Sequence, residues 1–181
     1  MGGKLKKTVV LVGMMGAGKT AVGKALAARL KVPFLDSDAE IEKAAARTIP
    51  EIFARDGEPF FRLKESQVIE RLLDSRCGVL STGGGAYLAD RNRDMISARG
   101  VAVWLDADLP LLWQRVRHKD SRPLLRTPDP LGTLRSLYEA RVPIYALSDL
   151  RVKVLPRYSI DETAEQVVQA LLTRPDVLEG E

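Results

Sequence analysis

Eight residues, Gly13-Met14-Met15-Gly16-Ala17-Gly18-Lys19-Thr20, follow the apolar run TVVLV and fit the spacing G-x-x-x-x-G-K-T at every position. A glycine-rich turn leading from a strand into a helix exposes backbone N–H groups to an anion. Gly13, Gly16 and Gly18 allow phosphate to approach where side chains would block it. Lys19 can reach the β- and γ-phosphates and Thr20 can ligate Mg²⁺. An ordinary small-residue turn explains less of the match, and a dinucleotide G-x-G-x-x-G reading does not predict the Lys-Thr pair. The chemistry is that of a nucleoside triphosphate, and the acceptor of its phosphoryl group must be sought in a second pocket.

Asp36 and Asp38 close PFLDSD. Alternation in an extended segment directs both the same way, beyond a strand expected to neighbour the first. One can assist Mg²⁺ while the other takes a hydroxyl proton; Asp38 also reads as the cap of the helix AEIEKAAA, and the roles can coexist. Asp106, closing VAVWLDA, could hold a metal, but Asp108 two residues on favours turn and cap chemistry. FFRLKES places Arg62 and Glu65 three residues apart on one helix face, a pairing that in isolation is a surface salt bridge of little energy. Gly83, Gly84 and Gly85 after CGVLS change that weighting, because a tight turn needs one or two glycines and three argue for close backbone approach to a ligand. Arg141 lies just before Pro143 in a helix, with Tyr138 and Tyr145 as packing residues. Arg122 falls in HKDSRPLLRTPDP, long enough to act as a lid whose closure would bring a cation over the phosphates, and Arg115 near the preceding helix end can stack on a base.

The elements that must position these groups alternate along the chain. Apolar β-rich runs TVVLV, PFLD, CGVLS, VAVWLDA and RVKVL are separated by helical patterns, which argues for a parallel sheet with helices on both faces. A helical insertion at about 37–74, broken at PEIFARDGEP, and the lid at about 118–130 do not fit simple crossovers. Lys4, Lys6 and Lys7 read as a solvated tail and TRPDVLEGE as a frayed end.

The 181 residues, 45% of them apolar, suit one domain spanning 1–181. No apolar run approaches the length of a membrane span and the N-terminus has no secretory apolar stretch, so a cytoplasmic location is expected. The single cysteine, Cys77, reads as a buried structural thiol, and the formal charge of +4 suits nucleotides or carboxylates as well as nucleic acid. A guanine-specific switch protein would carry Asn-Lys-x-Asp, but Asn92, the sole asparagine, precedes Arg93.

Taken together, GMMGAGKT, DSD, IFARDGEPFFRLKE, TGGGAY, RPLL and YEARVPIY resemble the shikimate kinase family along nearly the whole chain. The resemblance implies a P-loop three-layer α/β/α sandwich with a five-stranded parallel sheet, nucleoside-monophosphate-kinase-like, and ATP-dependent phosphorylation of the shikimate 3-hydroxyl. It implies a nucleotide site at Gly13, Gly16, Ala17, Gly18, Lys19, Thr20, Ala21, Arg115 and Arg122, with Lys19 and Arg122 on the transferring group and Thr20 and Asp36 serving Mg²⁺. Asp38, Arg62, Gly83, Gly84, Gly85 and Arg141 would hold shikimate, the two arginines at its carboxylate and Asp38 at its ring hydroxyls. Asp38 is also the candidate base, and Glu65 would orient Arg62. The expected state is a monomer without nucleic-acid or membrane partners. The chain departs from the family pattern at Arg47, where glycine is frequent, and LPRYSIDETAEQ has no clear match to an adenine-contacting loop, leaving Arg157 as the candidate there. A kinase of gluconate or of a nucleoside monophosphate is the nearest rival, disfavoured by the glycine triplet and the spaced arginines. A nucleotide-dependent binding protein acting on nucleic acid is the rival from another class.

Overall fold

Two largely apolar runs set the architecture. Thr8–Val12 (β2) and Gly100–Ala107 (β5) are buried along their whole length, as strands covered on both faces must be. The computed structural model describes residues 4–118 and 126–180; Arg122 and the rest of 119–125, the centre of the expected lid, lie outside the described residues. A first short strand, β1 (Lys4–Leu5), precedes β2, after which come α1 (Lys19–Leu30) and β3 (Phe34–Asp36). Three helices follow, α2 (Ser37–Ala45), α3 (Ile49–Asp56) and α4 (Glu58–Leu73). The chain then forms β4 (Val79–Ser81), a 3₁₀ turn at Ala86–Leu88 and α5 (Asp90–Arg99), which leads into β5. Beyond β5 lie α6 (Leu109–Val116), α7 (Pro130–Tyr145), β6 (Leu150–Val154), α8 (Ile160–Leu171) and β7 (Leu178–Glu179).

The main sheet has five parallel strands in the order β3-β4-β2-β5-β6. The sandwich implied by the sequence is therefore present, with one change in strand neighbours. Strand β3 does not pair with β2, because β4 lies between them through the pairs Val9 with Val79 and Phe34 with Val79. The carboxyl ends of β3, β4 and β2 thus stand side by side, the place where open α/β sheets bind ligands.

Local chemistry explains the insertion. Asp36 Oδ1 accepts from the N–H groups of Asp38 and Ala39, so Asp36, not Asp38, caps α2. Thr48 and Glu51 form a reciprocal capping box that starts α3. Gly57, at φ 84°, separates α3 from α4 in a backbone conformation that side chains disfavour. The segment is thus three helices, where the sequence suggested one interruption.

Other expectations are corrected. The C-terminal segment is not frayed: β7 pairs antiparallel with β1, and Val177 and Leu178 are buried. The N-terminal lysines are likewise not a free tail, since Lys6 meets Glu179 at 3.2 Å and Lys7 meets Asp176 at 3.3 Å. Cys77 is only half-buried, its thiol directed at the Lys6 carbonyl. Asp106 neither turns nor caps; it is buried at the end of β5, where Arg151 Nε donates to it at 2.8 Å. Helix α8 is capped by Ser159 through a box with Glu162, two residues before the expected start. Pro143 sits within α7 on its exposed side. No helix of the described residues is long and apolar enough to cross a membrane.

Candidate active site

The N-terminus of α1 differs from those of α2, α3 and α8, each of which is closed by a side-chain cap. Gly18 occupies the cap position of α1 at φ 98° with no side-chain hydrogen bond, and the first turn carries no acid. Its first-turn N–H groups and positive dipole end therefore face the loop without a side-chain cap, an arrangement suited to an anion. Gly16 at φ 87° folds the loop over this end, and a Cβ there would stand 2.8 Å from Val116. Lys19 Nζ donates to the carbonyls of Gly13 at 2.6 Å and Met14 at 3.2 Å, which holds the ammonium group inside the loop. Thr20 and Ala21 are exposed on the first turn of α1.

A cavity of about 470 Å³ runs from Gly16–Thr20 to Arg115 and across to Tyr158, Ser159 and Thr163. Arg115 Nη1 donates to the carbonyls of Gly16 at 3.0 Å and Ala17 at 3.2 Å, fixing the loop while its side chain lines the cavity. Partial burial lowers the pKa of this guanidinium. Sequence reasoning missed Tyr158, Ser159 and Thr163, and Arg157 lies outside the lining, its guanidinium over the Tyr158 ring. The signal was available: S-x-x-E at Ser159–Glu162 marks a helix starting just past β6.

The second bay is built around the glycine triplet. A Cβ on Gly83 would lie 2.7 Å from Asp38 Oδ1, one on Gly84 3.0 Å from Arg141 Nη1, and one on Gly85 2.5 Å from Arg62 Nη2. None of the three glycines adopts a positive φ, so their missing Cβ atoms leave room for the tips of these neighbouring side chains and do not serve turn geometry. Asp38 from α2, Arg62 from α4 and Arg141 from α7 are thereby gathered over one backbone floor. The two arginines, 79 positions apart in sequence, flank adjacent glycines.

The supporting bonds are short. Glu65, 1% exposed, accepts from Arg62 Nη1 at 2.9 Å, and Glu58 reaches Arg62 Nε at 3.7 Å from the solvent side. Burial raises the Glu65 pKa, with Arg62 as the opposing influence. Tyr145, fully buried, donates its hydroxyl to the Gly84 carbonyl at 2.5 Å and sits beside Arg141. The sequence suggested only packing for Tyr145; it also fixes the glycine floor. Burial raises its pKa, which keeps it a donor. Tyr145→Phe is expected to leave the Gly84 carbonyl without this donor and to weaken acceptor binding by about 1–3 kcal/mol with the fold intact, read as a rise in KM larger than the fall in kcat.

Asp38 connects the two halves electrostatically. Burial first, then the neighbouring Asp36, push its pKa up to about 6, against the attraction of Lys19 and Arg62. The acid thus stands close enough to the phosphate-loop lysine and to the Arg62 side of the bay to respond to both. Near neutral pH it is mostly ionised yet retains useful basicity.

A triphosphate loop facing a small bay of guanidinium groups and one carboxylate, on a sheet of this order, defines the class: a P-loop kinase for small molecules. The family model described as shikimate kinase matches residues 15–172. A shikimate kinase of Ruegeria pomeroyi is 67% identical over 175 residues, covering 97% of this chain and 90% of the relative. One from Cereibacter sphaeroides is 66% identical, covering 97% and 88%. Among solved structures, shikimate kinase from Acinetobacter baumannii in complex with shikimate superposes with a TM-score of 0.86 at 38% identity, covering 92% of this chain and 93% of that one. A gluconokinase from Sinorhizobium meliloti shares the fold at 19% identity and a TM-score of 0.64. The chain belongs to the shikimate kinase family.

Proposed function

We propose that this protein transfers the γ-phosphoryl group of ATP to the 3-hydroxyl of shikimate. The observation that carries the reading is the convergence of Asp38, Arg141 and Arg62 on Gly83, Gly84 and Gly85. Two guanidinium groups flanking one floor suit a planar carboxylate, and a carboxylate side chain beside them suits ring hydroxyls. The acceptor bay lies next to the loop that takes the nucleotide, as in-line transfer requires.

In this reading Gly13, Gly16, Ala17, Gly18, Thr20 and Ala21 hold the phosphates, and Arg115 and the Tyr158 turn receive the base. Lys19 exchanges its bonds to the Gly13 and Met14 carbonyls for the β- and γ-phosphates. Arg62, held by Glu65, and Arg141, next to Tyr145, fix the acceptor carboxylate. Asp38 accepts a hydrogen bond from the 3-hydroxyl and aligns its oxygen with the γ-phosphorus. The new P–O bond forms as the bond to the β–γ bridging oxygen breaks; Asp38 takes the hydroxyl proton and ADP carries away the bonding pair. Lys19 stabilises the charge on the moving group, a role given also to Arg122.

The donors present fit Mg²⁺. The Thr20 hydroxyl is exposed at the start of α1, and Asp36 uses Oδ1 for its cap bonds while Oδ2 remains. No all-protein cluster of three metal-ligating side chains exists among the described residues, which suits an ion that keeps waters and binds largely through substrate phosphates. When bound, Mg²⁺ neutralises charge on the β- and γ-phosphates.

The test is coupled ADP release from ATP and Mg²⁺ with and without acceptor. Shikimate-dependent release is expected, and release with gluconate but not shikimate would overturn the assignment. The same reading takes the enzyme as a cytoplasmic monomer without nucleic-acid or membrane partners. Steeply salt-dependent association with DNA or RNA would contradict it.

A further inference from the structure

Helix α4 carries two different stripes. At about 100° per residue, Arg62, Glu65 and Ile69 fall on one side, whereas Phe60, Lys64, Gln67 and Arg71 fall on roughly the opposite side. The first stripe serves the bay over the glycine triplet. The second walls a separate cavity of about 430 Å³ closed by α2 and α3. Its size is in the range that small molecules occupy.

The floor of this cavity is apolar: Ile41, Ile52 and Val68 are buried beneath it, and the Phe60 ring, 39% exposed, stands at its side. Its rim is cationic. Arg47, Arg55, Lys64 and Arg71 line it against a single carboxylate, Asp56. Two of these cations have only long ion pairs, Arg55 with Asp56 at 4.0 Å and Arg71 with Glu40 at 3.7 Å. Among the described residues no acid pairs with Arg47 or Lys64, and the Lys64 ammonium lies 5.4 Å from the Phe60 ring centre.

Like charges gathered around an apolar hollow repel one another, and neither the acceptor bay nor the nucleotide loop uses them. We propose that this groove is a second ligand site, taking a small organic anion with a flat apolar body, such as an aromatic carboxylate. The body would lie on Ile41, Ile52 and Val68 against the Phe60 ring, and its carboxylate would face the Arg47 and Arg71 guanidinium groups. The enclosure by three helices favours a compact molecule over an extended acidic chain segment.

Titration of the ¹⁵N-labelled full chain with 2-naphthoate at low ionic strength tests this, with neutral 2-naphthamide as the comparison. Amide shifts are expected at Ala44, Ala45, Ile52 and Gln67, with the carboxylate bound about tenfold tighter than the amide. In the Arg47→Gln/Arg71→Gln variant, which alters only exposed side chains, binding should weaken about tenfold and shikimate-dependent turnover should stay unchanged. Phe60→Ala should weaken both probes. Equal affinity for the two probes, undiminished binding by the double variant, or shifts confined to Gly83–Gly85 would overturn the proposal. Concentration-dependent shifts at the groove without any probe would assign the face to a second copy of the chain and also overturn it.

Discussion

Asp38→Asn is expected to lower shikimate-dependent turnover by about 10²–10⁴ while making the ligand-free protein more stable. The two effects share one cause. Burial and Asp36 raise the Asp38 pKa from 3.8 to about 6, so the carboxylate to which the proposed mechanism gives the hydroxyl proton is held ionised at neutral pH at a cost to the fold. A group whose folded pKa lies above its unfolded value binds more protons when folded between the two values. Its penalty is therefore full above pH 6, declines as the pH falls through that region, and is gone below about pH 4. A tenfold change in an acid's dissociation constant corresponds to about 1.4 kcal/mol, so removing the charge should recover on the order of 3 kcal/mol at pH 8 and almost nothing at pH 4. Denaturant melts of the two proteins at those pH values check the sign. In the unmodified enzyme, kcat/KM should fall as the pH drops through about 6, and a profile flat to pH 5 would remove Asp38 from proton handling.

Arg62→Ala should weaken shikimate binding by about 1.5–3 kcal/mol, roughly 10- to 150-fold, through loss of a charge-assisted hydrogen bond. It should also destabilise the protein by about 2 kcal/mol at neutral pH, because Glu65, 1% exposed, would lose the partner that offsets its burial. The figure lies below the roughly 3–5 kcal/mol of an enclosed pair, since the Arg62 side chain is 32% exposed. Without Arg62 the Glu65 pKa rises further above its unfolded value, so the deficit is greatest at high pH and shrinks as the pH falls and the carboxyl protonates. Arg62→Ala/Glu65→Gln should therefore regain the stability but not the affinity. Calorimetric titration with shikimate and parallel denaturant curves separate these terms; a double variant as unstable as the single one would show that Glu65 is not the source of the loss.

These effects rest on two kinds of information. The phosphate loop was legible because its proposed function is local: strand, three glycines, lysine and helix start lie within a dozen residues, and the backbone they dictate is the proposed phosphate site. The alternation of strands and helices was legible for a similar reason, since hydrophobic period reports which faces must be covered. Local pattern was weaker where two neighbouring residues compete for one role. The sequence offered Asp38 as the cap of α2, and only the observed bonds from the Asp38 and Ala39 N–H groups give the cap to Asp36 and free Asp38 for the bay.

What the sequence alone determined is the triphosphate loop, the layered α/β class and the set of polar residues available for an acceptor, because each follows from short-range spacing. Tertiary structure decided which of them meet. Insertion of β4 between β3 and β2 brings Gly83–Gly85 between the Asp36–Asp38 segment and the loop, and the packing of α7 returns Arg141 and Tyr145 to Gly84. Such contacts join residues far apart along the chain. Their geometry is set by the order of strands and the crossing of helices, which no local pattern of residues encodes.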